Sequence, residues 1–352
     1  MARPELCVLL AYAKLSLKTR LLSSSLPDDP VTESYLLGYF PPAAMVAAGQ
    51  ENLAAHRLRR EIITAQLTND LVDLMGAGFA TRLMRDSGRG AEEVVRAWLV
   101  AARLSDHRAL LKQMALQSSA VNVRLSYRWL LGLARVLERT TRWVLQNVEP
   151  EASSADVVDQ NITGLATLRE LFGDFVRGEE RALFEARVRE IQDVGADEAF
   201  SRRLITLRFL DQLLEILEIA RETGSDPVQT AHAYYQASDV FEIPWLRRRT
   251  FAAAGDDHWE MRAAQVLSDD LSSAHRKVAI GVMRRAQPDD DESCTLDYLG
   301  SIRARDLDRF KGVMEELKAE EAIGLAAISV AARELGTLAD GLGRRPGQED
   351  RR

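Results

Sequence analysis

The fold class is clearest in residues 207–220, which read LRFLDQLLEILEIA. Apolar side chains in this stretch recur every three or four residues, the spacing that places them on one side of an α-helix. The stripe and its flank consist of Leu207, Leu210, Leu214 and Leu217, with Leu213, Ile216 and Ala220 beside them. The stretch therefore predicts an amphipathic helix whose apolar side is covered by another part of the chain.

Two further segments show the same helical spacing. One follows the basic stretch 56–60, and the other begins with an aromatic residue. Their stripes are Ile63, Leu67, Leu71 and Leu74 in the first, and Trp259, Ala263, Val266, Ala274 and Val278 in the second. No segment alternates apolar and polar residues between turn signals, as a half-buried strand would. The sequence therefore predicts an all-α, multi-helix bundle.

Proline and acidic residues mark several helix boundaries. The loop 26–30, LPDDP, can place its second proline in the first turn of the next helix, and residues 40–42, FPP, end that helix. Asp226 followed by Pro227 has the pattern of a capping acid with a proline at the first helical position. These signals predict where helices begin more clearly than where they end.

The clearest domain boundary lies at residues 148–156, where proline, serine and acidic residues interrupt two long helical patterns. We therefore predict an N-terminal helical subdomain, 1–148, and a C-terminal helical subdomain, 157–340. A second polar break, 287–292, separates the last helices. Residues 341–352 are rich in glycine and arginine without apolar periodicity, and they are predicted to be a flexible tail.

Composition limits the kinds of partner. The 352 residues include 46 Lys and Arg against 53 Asp and Glu, a formal net charge of −7 at pH 7. Such a balance provides no general field to attract nucleic acid or anionic lipid, so neither is an expected partner. The hydrophobic share of 46% and the charged share of 28% are typical of a folded globular protein.

The two cysteines, Cys7 and Cys294, lie at opposite ends of the chain and outside any C-x-x-C or Cys/His cluster. Neither a disulfide framework nor a zinc site is indicated, which favours reduced thiols in a cytoplasm. The first residues lack a basic segment followed by an apolar one, and no apolar run reaches the roughly 18 residues that a spanning helix needs. We expect a cytoplasmic protein that is neither exported nor embedded in a membrane.

Glycine-containing segments offer little support for a nucleotide site. Residues 76–81, GAGFAT, follow a helical pattern and no strand, so a helix C-cap followed by a new helix is favoured over a phosphate-binding turn. Gly341 and Gly343 lie in the polar tail. Lys311, beside Gly312, is expected on a charged helix. The sequence thus predicts no catalytic and no cofactor-binding residue in this chain.

Metal-binding patterns are also weak. The five histidines, at positions 56, 107, 232, 258 and 275, form no H-E-x-x-H pattern. The acidic run 289–292, DDDE, could hold a cation, but it lacks the alternate spacing of a calcium loop. A solvated acidic loop is the favoured interpretation, and no metal site is predicted.

Two arginine-rich stretches are candidate interfaces. Residues 245–249, WLRRR, could contact an anionic ligand or an acidic partner surface, or could form a helix with a buried tryptophan and exposed arginines. The stretch 56–60, HRLRR, has the same two interpretations. The candidate interface residues are Arg57, Arg59, Arg60, Arg247 and Arg248.

A resemblance to a known family gives these stretches a context. Residues 3–14, RPELCVLLAYAK, resemble the segment that follows the nucleotide-binding domain in the large bacterial NAD-specific glutamate dehydrogenases. Later segments follow in the order found in that family: LPDDP at 26–30, YFP at 39–41, HRLRREII at 56–63, QLTN at 66–69, TRW at 141–143, AFSRRL at 199–204, HW at 258–259, DDL at 269–271, RF at 309–310 and EL at 316–317. Together they span residues 3 to about 338, and Ala2 and Cys7 are minor departures.

The resemblance implies oxidative deamination of L-glutamate to 2-oxoglutarate and ammonium, in a homo-oligomeric cytoplasmic enzyme of amino-acid catabolism with NAD as hydride acceptor. The family's catalytic lysine and aspartate and its dinucleotide fingerprint lie upstream of the matching segments. The chain is therefore expected to bind no NAD and to be inactive alone. Its expected role is assembly or regulation on the catalytic core. A stand-alone helical scaffold protein is the alternative.

Overall fold

A computed structural model describes residues 2–117, 123–255, 257–285 and 304–342. Within these ranges the secondary structure is helical, and no strand occurs. The prediction of an all-α, multi-helix fold is confirmed.

The helices vary from single turns to rods of 25 and 26 residues. Short 3-10 turns occupy Leu26–Asp28, Pro30–Thr32 and Leu207–Phe209. The α-helices are α1 (Arg3–Leu22), α2 (Glu33–Leu37), α3 (Pro42–Ala48), α4 (Gln50–Ala54), α5 (Arg59–Met75), α6 (Phe79–Ser87), α7 (Ala91–Ser105), α8 (His107–Gln117), α9 (Val123–Asn147), α10 (Ser154–Glu170), α11 (Phe172–Phe175), α12 (Gly178–Gln192), α13 (Glu198–Thr206), α14 (Leu210–Thr223), α15 (Pro227–Val240), α16 (Ile243–Ala253), α17 (His258–Met283), α18 (Ala304–Ala319) and α19 (Leu325–Leu342).

The chain divides into two compact units. The N-terminal unit consists of Met1–Thr163 and Glu190–Asp211, and the C-terminal unit consists of Gly164–Arg189 and Gln212–Arg352. The predicted division into subdomains 1–148 and 157–340 stays a prediction.

The predicted tail 341–352 and the predicted break 287–292 lie largely or wholly outside the described residues. Helix α19 continues through Gly341 and Leu342, the first two residues of the predicted tail, and Leu342 is buried. The rest of the tail and the break at 287–292 lie outside the described residues.

Helix α7 is the centre of the N-terminal unit. Its sequence, AEEVVRAWLVAARLS, is apolar around most of its circumference, and a helix of this kind is stable only when it is surrounded. Val94, Val95, Trp98 and Leu99 are all buried. Helices α1, α6, α8 and α9 pack around α7, and α1 also packs on α5.

The C-terminal unit is built around α17. Helices α15, α16 and α19 pack on it, and α18 packs in turn on α19. Most of the buried residues of α17 lie in its second half, where Leu271, Ala274, Val278 and Val282 are fully or almost fully covered.

The predicted helix at 207–220 is confirmed, with a 3-10 turn before α14 begins at Leu210. All seven residues of its stripe are buried. Ile63, Leu67 and Leu71 of α5 are buried as well, whereas Leu74 near the end of that helix is half-buried. Helical spacing therefore identified both the element and its inner side in these two segments.

The predicted stripe of α17 is wrong in its first half. Trp259 is 71% exposed, Val266 is 53% exposed, and Ala263 is exposed too. Ala264, which lies about 100° round the helix from Ala263, is buried instead. Apolar spacing is present on this helix, but the side that is covered is set by the neighbouring helices.

Acidic caps begin several helices. The Asp226 carboxylate accepts hydrogen bonds from the backbone N–H groups of Val228 and Gln229, each at 2.9 Å, and Pro227 follows at the first helical position. This geometry satisfies backbone donors that the helix itself leaves open. The predicted start of α15 is confirmed.

His275 is a fully buried ionisable group of the C-terminal unit. Its Nε2 lies 2.9 Å from the carbonyl oxygen of Tyr234, and its ring lies 3.7 Å from the Tyr234 ring centroid. Burial, assisted by the nearby positive charge of Arg247, lowers its pKa to about 3. The imidazole is therefore neutral, and Nε2–H donates to the Tyr234 carbonyl.

This burial predicts a loss of stability in acid. Between pH 6.5 and 3 the unfolded chain binds a proton at His275 that the folded chain does not, so stability falls as the pH is lowered through this window. The loss should reach about 2 kcal/mol between pH 7 and pH 5. Urea unfolding of wild type and of His275→Leu at both pH values measures it, since the variant should lose less on acidification. Equal losses in the two proteins would contradict the prediction.

Candidate interface and the polar clusters around it

The first predicted arginine stretch forms hydrogen bonds with the backbone at the C-terminal end of α1. Arg60 Nη2 donates hydrogen bonds to the carbonyl oxygens of Leu22 and Ser24, at 2.9 and 2.7 Å. Its Nη1 pairs with the Asp28 carboxylate, and Arg59 Nη1 lies 3.5 Å from the same group. Arg60 thus satisfies backbone acceptors that are left open where a helix ends.

The neighbouring acid, Asp29, pairs with an arginine from a different helix, α7. Arg96 of α7 pairs with Asp29 and also with Glu92, at 3.0 Å in the second pair. The Asp29 carboxylate accepts a hydrogen bond from the backbone N–H of Val31 at 2.9 Å, which caps the second 3-10 turn. The LPDDP loop is thus fixed by arginines from α5 and α7.

The three arginines of this stretch differ in their surroundings. Arg59 and Arg60 are half-buried and pair with Asp28, whereas Arg57 is exposed just before α5 begins. The basic stretch is visible in the sequence, but its internal partner Asp28 is not, because Asp28 lies some thirty residues earlier in the chain. Their part in an interface stays a prediction.

A second polar cluster of the N-terminal unit surrounds Asp70 of α5. Its carboxylate accepts hydrogen bonds from Tyr35 Oη at 2.9 Å and from Arg108 Nη2 at 3.2 Å, and His107 Nε2 lies 3.8 Å away. Burial alone would raise the pKa of Asp70, but the hydrogen bonds and positive charge of these neighbours lower it below the ordinary value. The cluster links α2, α5 and α8, and it was not predicted.

The second predicted arginine stretch lies on α16. Arg248 pairs with Glu179 at 2.6 Å, and Arg247 Nη2 donates to Ser272 Oγ at 3.1 Å. The guanidinium of Arg249 lies 5.5 Å from the ring centroid of Trp245. Trp245 and Arg247 are half-buried, whereas Arg248 and Arg249 are exposed, so both interpretations of this stretch stay open.

A cavity of about 290 Å³ lies beside this stretch, within the C-terminal unit. Its lining is mainly polar and carries four carboxylates. The lining residues are Arg177, Glu179, Glu180, Tyr235, Ser238, Asp239, Glu242, Pro244 and Trp245. The cavity combines acidic groups with two aromatic side chains.

Glu180 is the unusual acid of this cavity. Burial raises its pKa to about 7, Arg247 and Arg248 oppose the rise, and the negative charge of Asp239 adds to it. The Asp239 carboxylate also lies against the backbone of Gly178, whose φ is +53°. A Cβ at Gly178 would lie 2.1 Å from Asp239 Oδ1, so a larger residue there would need a strained backbone and a shift of the Asp239 carboxylate.

The glycine-containing segment at 76–81 joins two helices. Gly76, with φ +84°, ends α5, and Gly78 immediately precedes α6. The predicted helix C-cap followed by a new helix is confirmed. Lys311 lies exposed on α18, as expected for a solvated helix lysine.

The described part of the chain contains neither a candidate metal-binding cluster nor a candidate membrane-spanning helix. There, no group of three or more His, Cys, Asp and Glu side chains is placed to hold a metal ion. No described helix is long and apolar enough to cross a membrane. The acidic run 289–292 lies outside the described residues.

Comparison with known families connects this helical architecture to an enzyme. The family model described as "Glutamate dehydrogenase, C-terminal" matches residues 1–337. The chain belongs to this family. The resemblance inferred from the ordered motifs is therefore confirmed.

Three curated relatives agree with this assignment, and each has the name NAD-specific glutamate dehydrogenase. The chain is 31% identical over 340 residues to the protein of Halomonas elongata, 27% over 339 residues to that of Pseudomonas aeruginosa, and 27% over 333 residues to that of Mycobacterium tuberculosis. The matches cover 97%, 96% and 94% of this chain, and 21%, 21% and 20% of the relatives. The chain thus spans about a fifth of the length of these relatives.

The contacts of Arg60 predict a structural role that Arg57 does not share. Arg60→Ala should lower the free energy of unfolding by about 1–3 kcal/mol, because two backbone acceptors and a carboxylate lose a charged donor. Arg57→Ala, the matched control, should change it by less than about 0.5 kcal/mol. Urea unfolding followed by circular dichroism measures both. Equal effects of the two substitutions would show that the contacts of Arg60 contribute little.

The raised pKa of Glu180 predicts the opposite pH dependence to that of His275. Between pH 4.5 and 7 the folded chain binds a proton at Glu180 that the unfolded chain does not, so the stability from this group falls as the pH rises. Glu180→Gln should therefore stabilise the protein by about 1–3 kcal/mol more at pH 8 than at pH 5. Thermal unfolding at both pH values tests this, with Glu179→Gln as the control. A pH-independent effect of Glu180→Gln would refute it.

Proposed function

We propose that this chain is the C-terminal helical part of an NAD-dependent glutamate dehydrogenase, which oxidatively deaminates L-glutamate to 2-oxoglutarate and ammonium. The family match over residues 1–337 carries the proposal. Further support comes from the relatives, which are named NAD-specific glutamate dehydrogenases and contain the matching region as about a fifth of their length. This favours a part of an enzyme over a stand-alone scaffold protein.

The role of this part is to support assembly or regulation of the enzyme, and the chemistry takes place elsewhere in it. Within the described residues, the glycine-containing segment nearest to a phosphate-binding pattern is the junction of α5 and α6. That junction lacks the preceding strand that a dinucleotide-binding turn requires. NAD is accordingly the cofactor of the whole enzyme and is not bound by this chain.

The partner of this region is the catalytic core of the same cytoplasmic, homo-oligomeric enzyme, with no nucleic acid and no membrane involved. The candidate contacts are Arg57, Arg59, Arg60, Arg247 and Arg248. Arg57 and Arg248 are exposed, and arginine is well suited to bidentate pairing with a carboxylate across an interface. Arg59 and Arg60 would act mainly by fixing the loop beside such a contact.

Catalysis and NAD binding should both be absent from this chain and present in the full-length protein. The full-length protein should reduce NAD in the presence of glutamate, whereas this chain alone should neither reduce NAD nor bind it. Absorbance at the NADH band and isothermal calorimetry with NAD test the two statements. Binding of NAD to the isolated chain at micromolar affinity would contradict the assignment of the cofactor to the rest of the enzyme.

The arginine contacts have their own test in the full-length protein. Arg57→Ala should weaken the oligomer or lower turnover, because loss of one partner of a desolvated pair costs about 2–5 kcal/mol. An exposed pair contributes at most about 1 kcal/mol, so the size of the effect distinguishes the two situations. Exposed Arg262→Ala is a matched control. If the Arg57→Ala variant keeps the wild-type oligomeric state and the wild-type turnover, Arg57 is a surface residue with no role in an interface.

A further inference from the structure

Helix α1 is apolar on two opposite sides. On its inner side, Leu17 and Leu21 are buried and Leu10 and Ala13 are half-buried, where the helix packs on α5 and α7. A surface helix ordinarily has one such side, with polar residues opposite. The second apolar side of α1 therefore requires a separate explanation.

The outer side of α1 carries large apolar side chains that are exposed to solvent. Val8 is 55% exposed, Tyr12 is 69% exposed, and Leu15 is 61% exposed. With about 100° between successive residues, these three lie within an arc of about 60°, centred opposite Leu17 and Leu21. We call this set, Val8, Tyr12 and Leu15, the outer stripe of α1. Leu9, 49% exposed, extends it at one edge.

The outer stripe also lacks charge. From Leu6 to Leu17 the only charged residue is Lys14, and it is directed towards α5, where it pairs with Asp73 at 2.6 Å. Single exposed apolar residues are ordinary on a protein surface, but a contiguous uncharged group of them is characteristic of an interaction site. A membrane surface is a poor match, because an interfacial helix usually has Lys and Arg along its polar side and the chain has a net charge of −7.

The position of α1 in the family indicates what covers the stripe. The family is described as the C-terminal part of glutamate dehydrogenase, and α1 is the first helix of the residues that match it. The relatives contain roughly four times as much sequence again outside the match. In a polypeptide of this kind most of the remaining sequence precedes the C-terminal region, and α1 is the helix of this region that follows that sequence most closely.

We propose that the outer stripe of α1 packs against the part of glutamate dehydrogenase that precedes this region in the polypeptide. The inference rests on the proposed function and adds the surface by which the two parts are joined. The receiving surface is an apolar groove, in which Tyr12 is the main anchor, because tyrosine is frequent among residues that dominate binding energy. Docking there also removes Val8 and Leu15 from water.

Hydrogen exchange in the full-length enzyme and in the isolated chain tests the proposal. Amides of residues 6–16 should exchange at least about tenfold more slowly in the full-length enzyme, because docking adds to the free energy of opening α1. The double variant Tyr12→Glu/Leu15→Glu should bring the full-length rate close to that of the isolated chain. Val46→Glu/Leu116→Glu, which alters two side chains that are 87% and 78% exposed, should leave the protection intact.

Two measurements separate this inference from other outcomes. Circular dichroism of the isolated variants should show unchanged helix content and melting temperature, since the altered side chains already face solvent. Glutamate-dependent NAD reduction by the full-length wild type tests the proposed function separately. An active enzyme with equal exchange of residues 6–16 in both forms overturns the docking surface alone. Self-association of the isolated chain that the Tyr12→Glu/Leu15→Glu variant abolishes also overturns it, because the occupant is then a second copy.

Discussion

The described helices can cover their apolar sides only with other helices, since the described residues contain no sheet on which they could pack. Helix α7 meets this constraint most completely, because it is apolar around most of its surface and is enclosed by α1, α6, α8 and α9. Helix α17 has the same position among α15, α16 and α19.

Charged groups hold the connections between the helices. Acids at helix starts accept backbone hydrogen bonds, and arginines at helix ends donate them, which suits the partial charges at the two ends of a helix. Asp226 is an example of the first arrangement and Arg60 of the second. The arginine-rich stretches therefore contribute to the fold as well as being candidate contacts. Arginine does this better than lysine, since its fork can reach two acceptors at once.

The sequence predicted the helices well because helical spacing is a local property. The stripe at 207–220 and the start of α15 depend on residues that are neighbours along the chain, and both have the predicted form. The covered side of α17 depends on helices distant in sequence, so the same spacing gave the wrong side at Trp259. Local spacing carries no information about which partner approaches from which direction.

The polar clusters were missed for a related reason. Arg60 was recognised as part of a basic stretch, but its pairing with Asp28 crosses about thirty residues. The Arg96–Asp29 pair crosses 67 residues, and Arg96 belongs to no recognisable motif. Proline and acidic residues in LPDDP did predict a loop whose second proline can begin the next helix. The motif alone did not show that Arg60 and Arg96 are the cations that pair with its two aspartates.

The interleaving of the two compact units has a consequence for synthesis of the chain. The N-terminal unit includes residues 190–211, so it is complete only after the intervening residues 164–189 of the C-terminal unit have been translated. Within that unit Phe200 of α13 packs edge-on against Trp129 of α9, with ring centroids 5.2 Å apart. Until α13 has been translated, Trp129 has no such partner. The nascent chain must therefore hold an incomplete apolar surface while the intervening helices α11 and α12 are made.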